Sequence, residues 1–297
     1  MSASNGARGK ALIHLHIPKN AGTTLSRMVK IGLLLRPPTN LLREQVTLGM
    51  YSTPGLDARL DAIARLPERK RCRVRFFEAH CGYGVHERLG VPSAYITMLR
   101  EPNKRTLSVF RFLKAKGAID PSTTLDEFLR TEPRDPVWVV DNAQVRYLAG
   151  DRGEFDTRPI GACTRDMLDK AIERIERYFL LVGLVERYDE SAALLMRDLG
   201  WSFAFSFTSN VTTKKEVDAG ESSEGAMERL RELNELDTAL YERARALFDE
   251  RVRGAGPAFA RDVERFRKRS ERIGGLIGKT LDATLTRRRT GRAETDD

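Results

Sequence analysis

Cysteine is scarce. The 297 residues hold three (Cys72, Cys81, Cys163), an odd number with no CxxC spacing, which argues against a disulfide framework and for a reducing compartment. Histidine is nearly as scarce: His14, His16, His80 and His86 are the only four, and neither they nor the cysteines show zinc-ligand spacing, so no metal is expected. No run of 18 or more apolar residues occurs, so no membrane span is expected. The first ten residues, MSASNGARGK, lack the apolar core of a secretory signal, and the expected location is cytoplasmic. An internal repeat is also lacking.

What is present suits a folded α/β protein: 41% hydrophobic and 31% charged residues. The net charge of +9 is unevenly placed. From Arg251 to Asp297 there are 13 Lys and Arg against seven Asp and Glu, which leaves only about +3 for residues 1–250. The excess is a property of the tail, so no nucleic-acid partner is expected for the main domain, while peripheral membrane contact through the basic tail stays open. The expected layout is a flexible stretch over 1–10, one domain over 11–255, and a basic, partly disordered C-terminal extension over 256–297.

Short apolar runs at 11–17, 73–80, 93–99 and 178–184 read as strands. Helical periodicity follows at 23–35, 101–115, 124–131, 136–149 and 189–200, Thr164 reads as the N-cap of a helix that carries Leu168, Ala171, Ile172 and Ile175, and a single long helix spans about 223–253. Strands alternating with helices predict a central parallel sheet flanked by helices, in a three-layer arrangement like that of the P-loop NTPases. Ligands in such sheets bind beyond the carboxyl ends of the strands. There the first three strands deliver Lys19, His80 and Arg100.

The first of these junctions carries the most information. In IHLHIPKNAGTTLSRMVK, residues 13–30, a strand stops at Pro18, a loop of Lys19, Asn20, Ala21 and Gly22 follows, and a helix opens at Thr23 and Thr24. Small loop residues let backbone N–H groups approach an anion, and the helix N-terminus adds its positive dipole end. This is not a Walker A loop, which places lysine directly before the hydroxyl that holds magnesium. Here Lys19 precedes Thr23 by four residues, and no strand ends in an aspartate that could hold the metal. The second junction, YITMLREPNKRTLSVFRFL (95–113), offers an arginine fork at Arg100 and a hydroxyl at Ser108, which together suit a monophosphate. Two phosphate elements on one sheet predict a nucleotide phosphorylated at two places.

HIPKNAGTTL and YITMLREPNKRTLS together resemble the paired cofactor motifs of the sulfotransferases that use 3′-phosphoadenosine-5′-phosphosulfate (PAPS). The resemblance is strongest to the family of heparan-sulfate 2-O- and 6-O-sulfotransferases and their bacterial relatives. EAHCGYGVHERLG, DNAQVRYLAG and VGLVERYDESAALLMRDLGW extend it over most of the domain. The resemblance implies that Lys19 holds the 5′-phosphosulfate and acts in catalysis. It implies that Asn20, Ala21, Gly22, Thr23 and Thr24 cradle the 5′-phosphate, and that Arg100 and Ser108 bind the 3′-phosphate of PAPS or of the product PAP. His80 stands where such enzymes carry a histidine base, and His86 is its competitor. Asn20 and Ala21 replace the threonine and glycine of the family's common PKTGGTT. The implied reaction is sulfuryl transfer to a hydroxyl, on a carbohydrate or glycoconjugate, with acceptor contacts from loops at 36–70, 115–160 and 202–222.

Several residues keep two readings. Glu78 shares a face with His80 and either orients it or is a surface charge. His14 and His16 share a face of the first strand and read as core histidines, with His16 near enough to the loop to touch substrate. DNAQVRYLAG is either an acceptor-side or packing element or a capped amphipathic helix. Two other functions stay open: a P-loop kinase or nucleotide phosphotransferase, and a non-catalytic protein that binds an anionic glycan.

Overall fold

The four apolar runs form the four strands of one sheet. The computed structural model describes residues 10–34, 53–131, 138–155, 157–206 and 223–273. The elements, in chain order, are β1 (Ala11–Leu15), α1 (Gly22–Leu34), α2 (Thr53–Ala64), α3 (Glu68–Arg71), β2 (Phe76–Ala79), α4 (Val85–Leu89), β3 (Ser93–Leu99), α5 (Pro102–Ala115), α6 (Leu125–Arg130), α7 (Ala143–Ala149), α8 (Arg165–Arg177), β4 (Phe179–Leu184), α9 (Tyr188–Asp198), α10 (Glu224–Leu233) and α11 (Glu235–Gly254). All strands are parallel, in the order β2-β1-β3-β4. β1 is buried along its whole length, as a strand covered on both faces must be. The three-layer α/β expectation therefore holds, with the phosphate-type loop leaving an inner strand. The register pairs Leu15 with Ala79 and Ala11 with Ser93. It brings the carboxyl ends of β1, β2 and β3 to one edge, and residues 16–21, His80 and Arg100 continue from there.

Two apolar clusters hold the layers. The larger packs both faces of the sheet. The smaller joins Val109, Phe110 and Leu113 of α5 to Leu125, Phe128 and Leu129 of α6 and Leu230 and Leu233 of α10. A further helix, over 259–273, lies in the stretch read from the sequence as a C-terminal extension. It sets Phe259 and Phe266 into the larger cluster. The proposed flexible start (apart from Lys10), the end of the tail, and much of the proposed acceptor loops at 36–70 and 202–222 lie outside the described residues. Among the described residues no helix is long and apolar enough to cross a membrane.

Two sequence expectations are corrected. The helix read over 136–149 starts only at Ala143. The helix over 223–253 is two helices, α10 and α11, broken at Asn234. Asn234 is fully buried and leaves helical backbone geometry. Its amide donates to the Leu230 carbonyl and to Thr106 Oγ1 of α5. The freed Leu233 carbonyl accepts from Asn142 N–H at 2.8 Å. The break thus docks the helical hairpin against α5 and α7, a tertiary gain that local periodicity does not register.

Close packing also fixes Gly32 on the inner face of α1. A Cβ there would stand 2.0 Å from Cζ3 of the buried Trp201 indole. Gly32→Ala gains at most about 1 kcal/mol of helix propensity. Displacing the indole costs about 1–3 kcal/mol. The net expectation is a lower denaturation midpoint; an unchanged or higher one would mean that Trp201 moves aside freely.

Candidate active site

The loop after β1 turns through left-handed backbone at two non-glycine residues, Lys19 (φ 68°) and Ala21 (φ 54°). Such conformations cost on the order of 1–2 kcal/mol each and persist only where the surroundings impose them. Asn20, between the two, imposes them. Its side chain is buried and its Nδ2 donates to the Met98 carbonyl at 2.9 Å and to Gln144 Oε1 at 2.8 Å. Asn20, read from the sequence as a cofactor contact, thus uses its Nδ2 to hold the loop to the sheet. Gly22 opens α1 directly over the His16 ring: a Cβ there would lie 2.0 Å from His16 Cδ2. Only glycine lets the helix start so close to that imidazole.

The two helix N-termini at this edge differ. The first turn of α1 carries no acidic residue, so its N–H groups and dipole face the loop without a competing carboxylate. Thr23 and Thr24 lie there, half-buried. At α5 the Glu101 carboxylate accepts from Asn103 N–H at 3.1 Å and Lys104 N–H at 2.8 Å. That N-terminus is already capped. An anion at the second junction must therefore rely on side chains. Arg100 immediately precedes the cap, and Ser108 sits half-buried two turns into α5.

The structure brings Lys19 and Arg100 together: an Arg100 Nη1–H donates to the Lys19 carbonyl at 3.1 Å. Burial, and then Arg100, lower the Lys19 pKa to about 8. The Lys19 ammonium stands 4.2 Å from the centroid of the Phe112 ring, which packs on Trp138 with centroids 5.1 Å apart. Glu186, just past β4, braces the second junction. Its carboxylate accepts from Glu101 N–H at 3.1 Å and from the Tyr241 hydroxyl at 2.8 Å.

His80 follows β2 and reaches the same edge, 8% exposed. Its Nδ1 lies 2.6 Å from the His16 carbonyl oxygen. A carbonyl only accepts, so Nδ1 carries the proton and Nε2 keeps its lone pair. Burial, then the neighbouring His16, lower the His80 pKa to about 3. His86 is placed elsewhere. It bonds the Tyr95 hydroxyl at 2.9 Å, beside Tyr83, and Tyr95 registers with Ile13 inside β1 rather than at its carboxyl end.

Glu78 is not a surface charge. It is buried, pairs with Lys30 of α1 at 2.8 Å, and lies 3.5 Å from His16 Nδ1. Burial pushes its pKa up, but the His16 contact and then Lys30 outweigh that and hold the carboxyl below the usual range. It also acts on His80 electrostatically, raising the His80 pKa against the larger lowering by burial and His16. His14, His16 and Glu78 each offer one possible ligand atom within 4.8 Å of the others. The two imidazoles, however, stack nearly parallel (centroids 5.1 Å apart, 10° between planes), and in-plane lone pairs of stacked rings do not converge on one ion. His14 is a core histidine, bonded to Ser26 Oγ at 2.7 Å, with its pKa lowered to about 3 by burial and then by His16.

DNAQVRYLAG proves to be a packing element, and sequence reasoning did not single out its role at the site. Asp141, Asn142, Gln144 and Arg146 are all buried. Asp237 of α11 joins them, accepting from Gln144 N–H at 3.0 Å and Val145 N–H at 2.7 Å. The buried polar residues in a short helix were the available signal for Gln144. Nothing local marks Asp237, 93 residues away.

A family model and several curated proteins that match this sequence are named as sulfotransferases. A family model described as galactose-3-O-sulfotransferase matches residues 75–285, a span that includes His80, Arg100, Ser108 and Gln144. Galactose-3-O-sulfotransferase 2 of Homo sapiens is 29% identical over 188 residues, covering 61% of this chain and 46% of that one. Heparan-sulfate 6-O-sulfotransferase 2 of Danio rerio is 28% identical over 300 residues, covering 88% and 62%. The chain spans about half the length of the curated relatives it matches. A crystal structure of a sulfotransferase from Alicyclobacillus acidocaldarius aligns with a TM-score of 0.45 at 16% identity, over 81% of this chain and 96% of that one.

Proposed function

The chain belongs to the galactose-3-O-sulfotransferase family, and from that premise we propose that it transfers a sulfuryl group from PAPS to a hydroxyl of a carbohydrate or glycoconjugate. The observation that carries this reading is the convergence at one sheet edge of a helix N-terminus with no acidic residue in its first turn, Lys19, Arg100 and an imidazole whose Nε2 keeps its lone pair.

The residues present fit a ligand phosphorylated at both 3′ and 5′. The α1 N-terminus with Ala21, Gly22, Thr23 and Thr24 supplies amides and hydroxyls for the 5′ group. Arg100 and Ser108 supply side-chain donors for the 3′-phosphate, which the Glu101-capped helix does not offer from its backbone. When bound, PAPS supplies an activated sulfuryl group on a good leaving group. His80 Nε2 takes the acceptor's hydroxyl proton as that oxygen attacks sulfur. The Lys19 ammonium stabilises the charge that develops on the departing phosphate oxygen. Metal is not needed in this scheme, since cations and amides of the chain face the developing charge. Family membership sets aside the phosphotransferase reading. The three cysteines are free thiols, with Cys81 buried and its pKa pushed up to about 12. The cytoplasmic location stays part of the proposal.

The test is binding, then turnover. PAP at about 100 times its Kd is expected to stabilise the protein by about 2.7 kcal/mol, visible as a raised Tm. Labelled PAPS should then mark a member of a panel of galactose-terminated and heparan-type glycans. A Tm that PAP does not move would sink the cofactor assignment. Binding without transfer to any glycan in the panel would sink the proposed acceptor class.

A further inference from the structure

Both phosphate elements meet on one buried side chain that touches neither phosphate site directly. Gln144, the second residue of α7, accepts through Oε1 from Asn20 Nδ2 at 2.8 Å and from Arg100 N–H at 2.9 Å. Through Nε2 it donates to the Arg100 carbonyl at 2.9 Å. The amide thus pairs with both backbone groups of Arg100, as a neighbouring strand would, just where β3 ends. On its other side it holds the residue that fixes the left-handed loop around Lys19. The Arg100 guanidinium closes the ring onto the Lys19 carbonyl at 3.1 Å. Gln144 is itself held: its own N–H and that of Val145 donate to the buried Asp237 carboxylate, and Asp237 N–H donates to Asn142 Oδ1 at 3.0 Å.

We propose that Gln144 is a positioning residue that sets the spacing between the 5′- and 3′-phosphate elements. A ligand carrying both groups is then gripped by both at once. The inference rests on the PAPS reading and goes beyond it, because it assigns the gain from double attachment to a residue outside the contact surface. Two anchors on one ligand reinforce each other only when their separation matches the ligand; a slack link costs the joint gain and leaves each half-site largely intact.

The experiment measures Kd by calorimetry for PAP, for adenosine 5′-phosphosulfate (the 5′ half) and for 3′-AMP (the 3′ half). The full chain is used as wild type and as Gln144→Met, a neutral residue of similar volume. PAP affinity is expected to fall at least tenfold while each single-phosphate ligand changes by less than about threefold. Asp237→Asn, which loosens the hold on Gln144 from α11, should show the same pattern more weakly, and the double variant should be no worse than the stronger single one. Asp237→Asn carries the test alone if Gln144→Met does not fold. Equal weakening of all three ligands, as general destabilisation would give, overturns the inference, and so does unchanged PAP binding. Wild-type protein that binds no PAP overturns the PAPS reading instead.

Discussion

Replacing His80 by alanine is expected to lower kcat about 10²–10⁴-fold, while the Kd for PAP moves by no more than about threefold. The argument starts from one hydrogen bond. The His16 carbonyl, 2.6 Å away, fixes the proton on Nδ1. Nε2 is then the basic nitrogen, whatever the bulk tautomer preference. Burial and the neighbouring His16 bring the His80 pKa down to about 3, so the base form is present throughout the neutral range. The rate profile should therefore lack the acid limb near 6.5 that an ordinary histidine would give. The alkaline side is governed by Lys19. It acts as a cation, its pKa is lowered to about 8 by burial and Arg100, and it loses its charge as pH rises through that value. Hence kcat/KM should fall above about pH 8. The limb in kcat should lie higher, because an anionic ligand favours the charged lysine. A plateau extending well past pH 9 in kcat/KM would remove Lys19 from this role. Normal turnover by His80→Ala with PAP still bound would place the base elsewhere.

The chemistry-bearing ends of the strands were legible because strand, loop and helix are local. Apolar runs mark β1 to β4 to within a few residues, and the parallel arrangement then forces Lys19, His80 and Arg100 to a common edge. Long-range pairings were not legible. Asn20 reads as a loop residue, and only the fold shows its amide turned onto Met98 and Gln144. His80 and His86 stand six residues apart in one motif. They are separated by a turn that delivers one to His16 and the other to Tyr95. The break at Asn234 is hidden for a related reason. Asparagine is tolerated in a helical pattern, and what decides the break is the Thr106 hydroxyl on another helix. Positions whose partner is sequence-distant carry no periodic signal, and at this site those are the residues that hold the contact groups in place.

The largest expected effect on stability lies in that supporting layer, at Asp141. Its side chain is 1% exposed and pairs with Arg146, which is 0% exposed. The guanidinium also donates to the carbonyls of Asp141, Arg158 and Pro159 at 2.8, 2.7 and 2.9 Å. Asp141 Oδ2 additionally accepts from Gly161 N–H at 2.8 Å, and Oδ1 from Asn142 Nδ2 at 2.8 Å. Asp141→Asn keeps the shape and removes the charge. Arg146 would lose its charged Asp141 partner inside the core, and breaking a buried pair from one side costs about 3–5 kcal/mol. Against a typical total of about 5–15 kcal/mol, that is a severe loss, read as a lower denaturation midpoint. Removing both charges, as Asp141→Asn with Arg146→Met, should recover part of it, because a buried charge that has lost a partner costs more than an apolar side chain of similar size in its place. The same single substitution should weaken PAP binding, since the pair anchors the start of α7 and α7 carries Gln144. A loss below about 1 kcal/mol in Asp141→Asn would show that water or a backbone shift satisfies Arg146. A double variant no better than the single one would show that the hydrogen bonds of the pair, not its charges, hold this layer together.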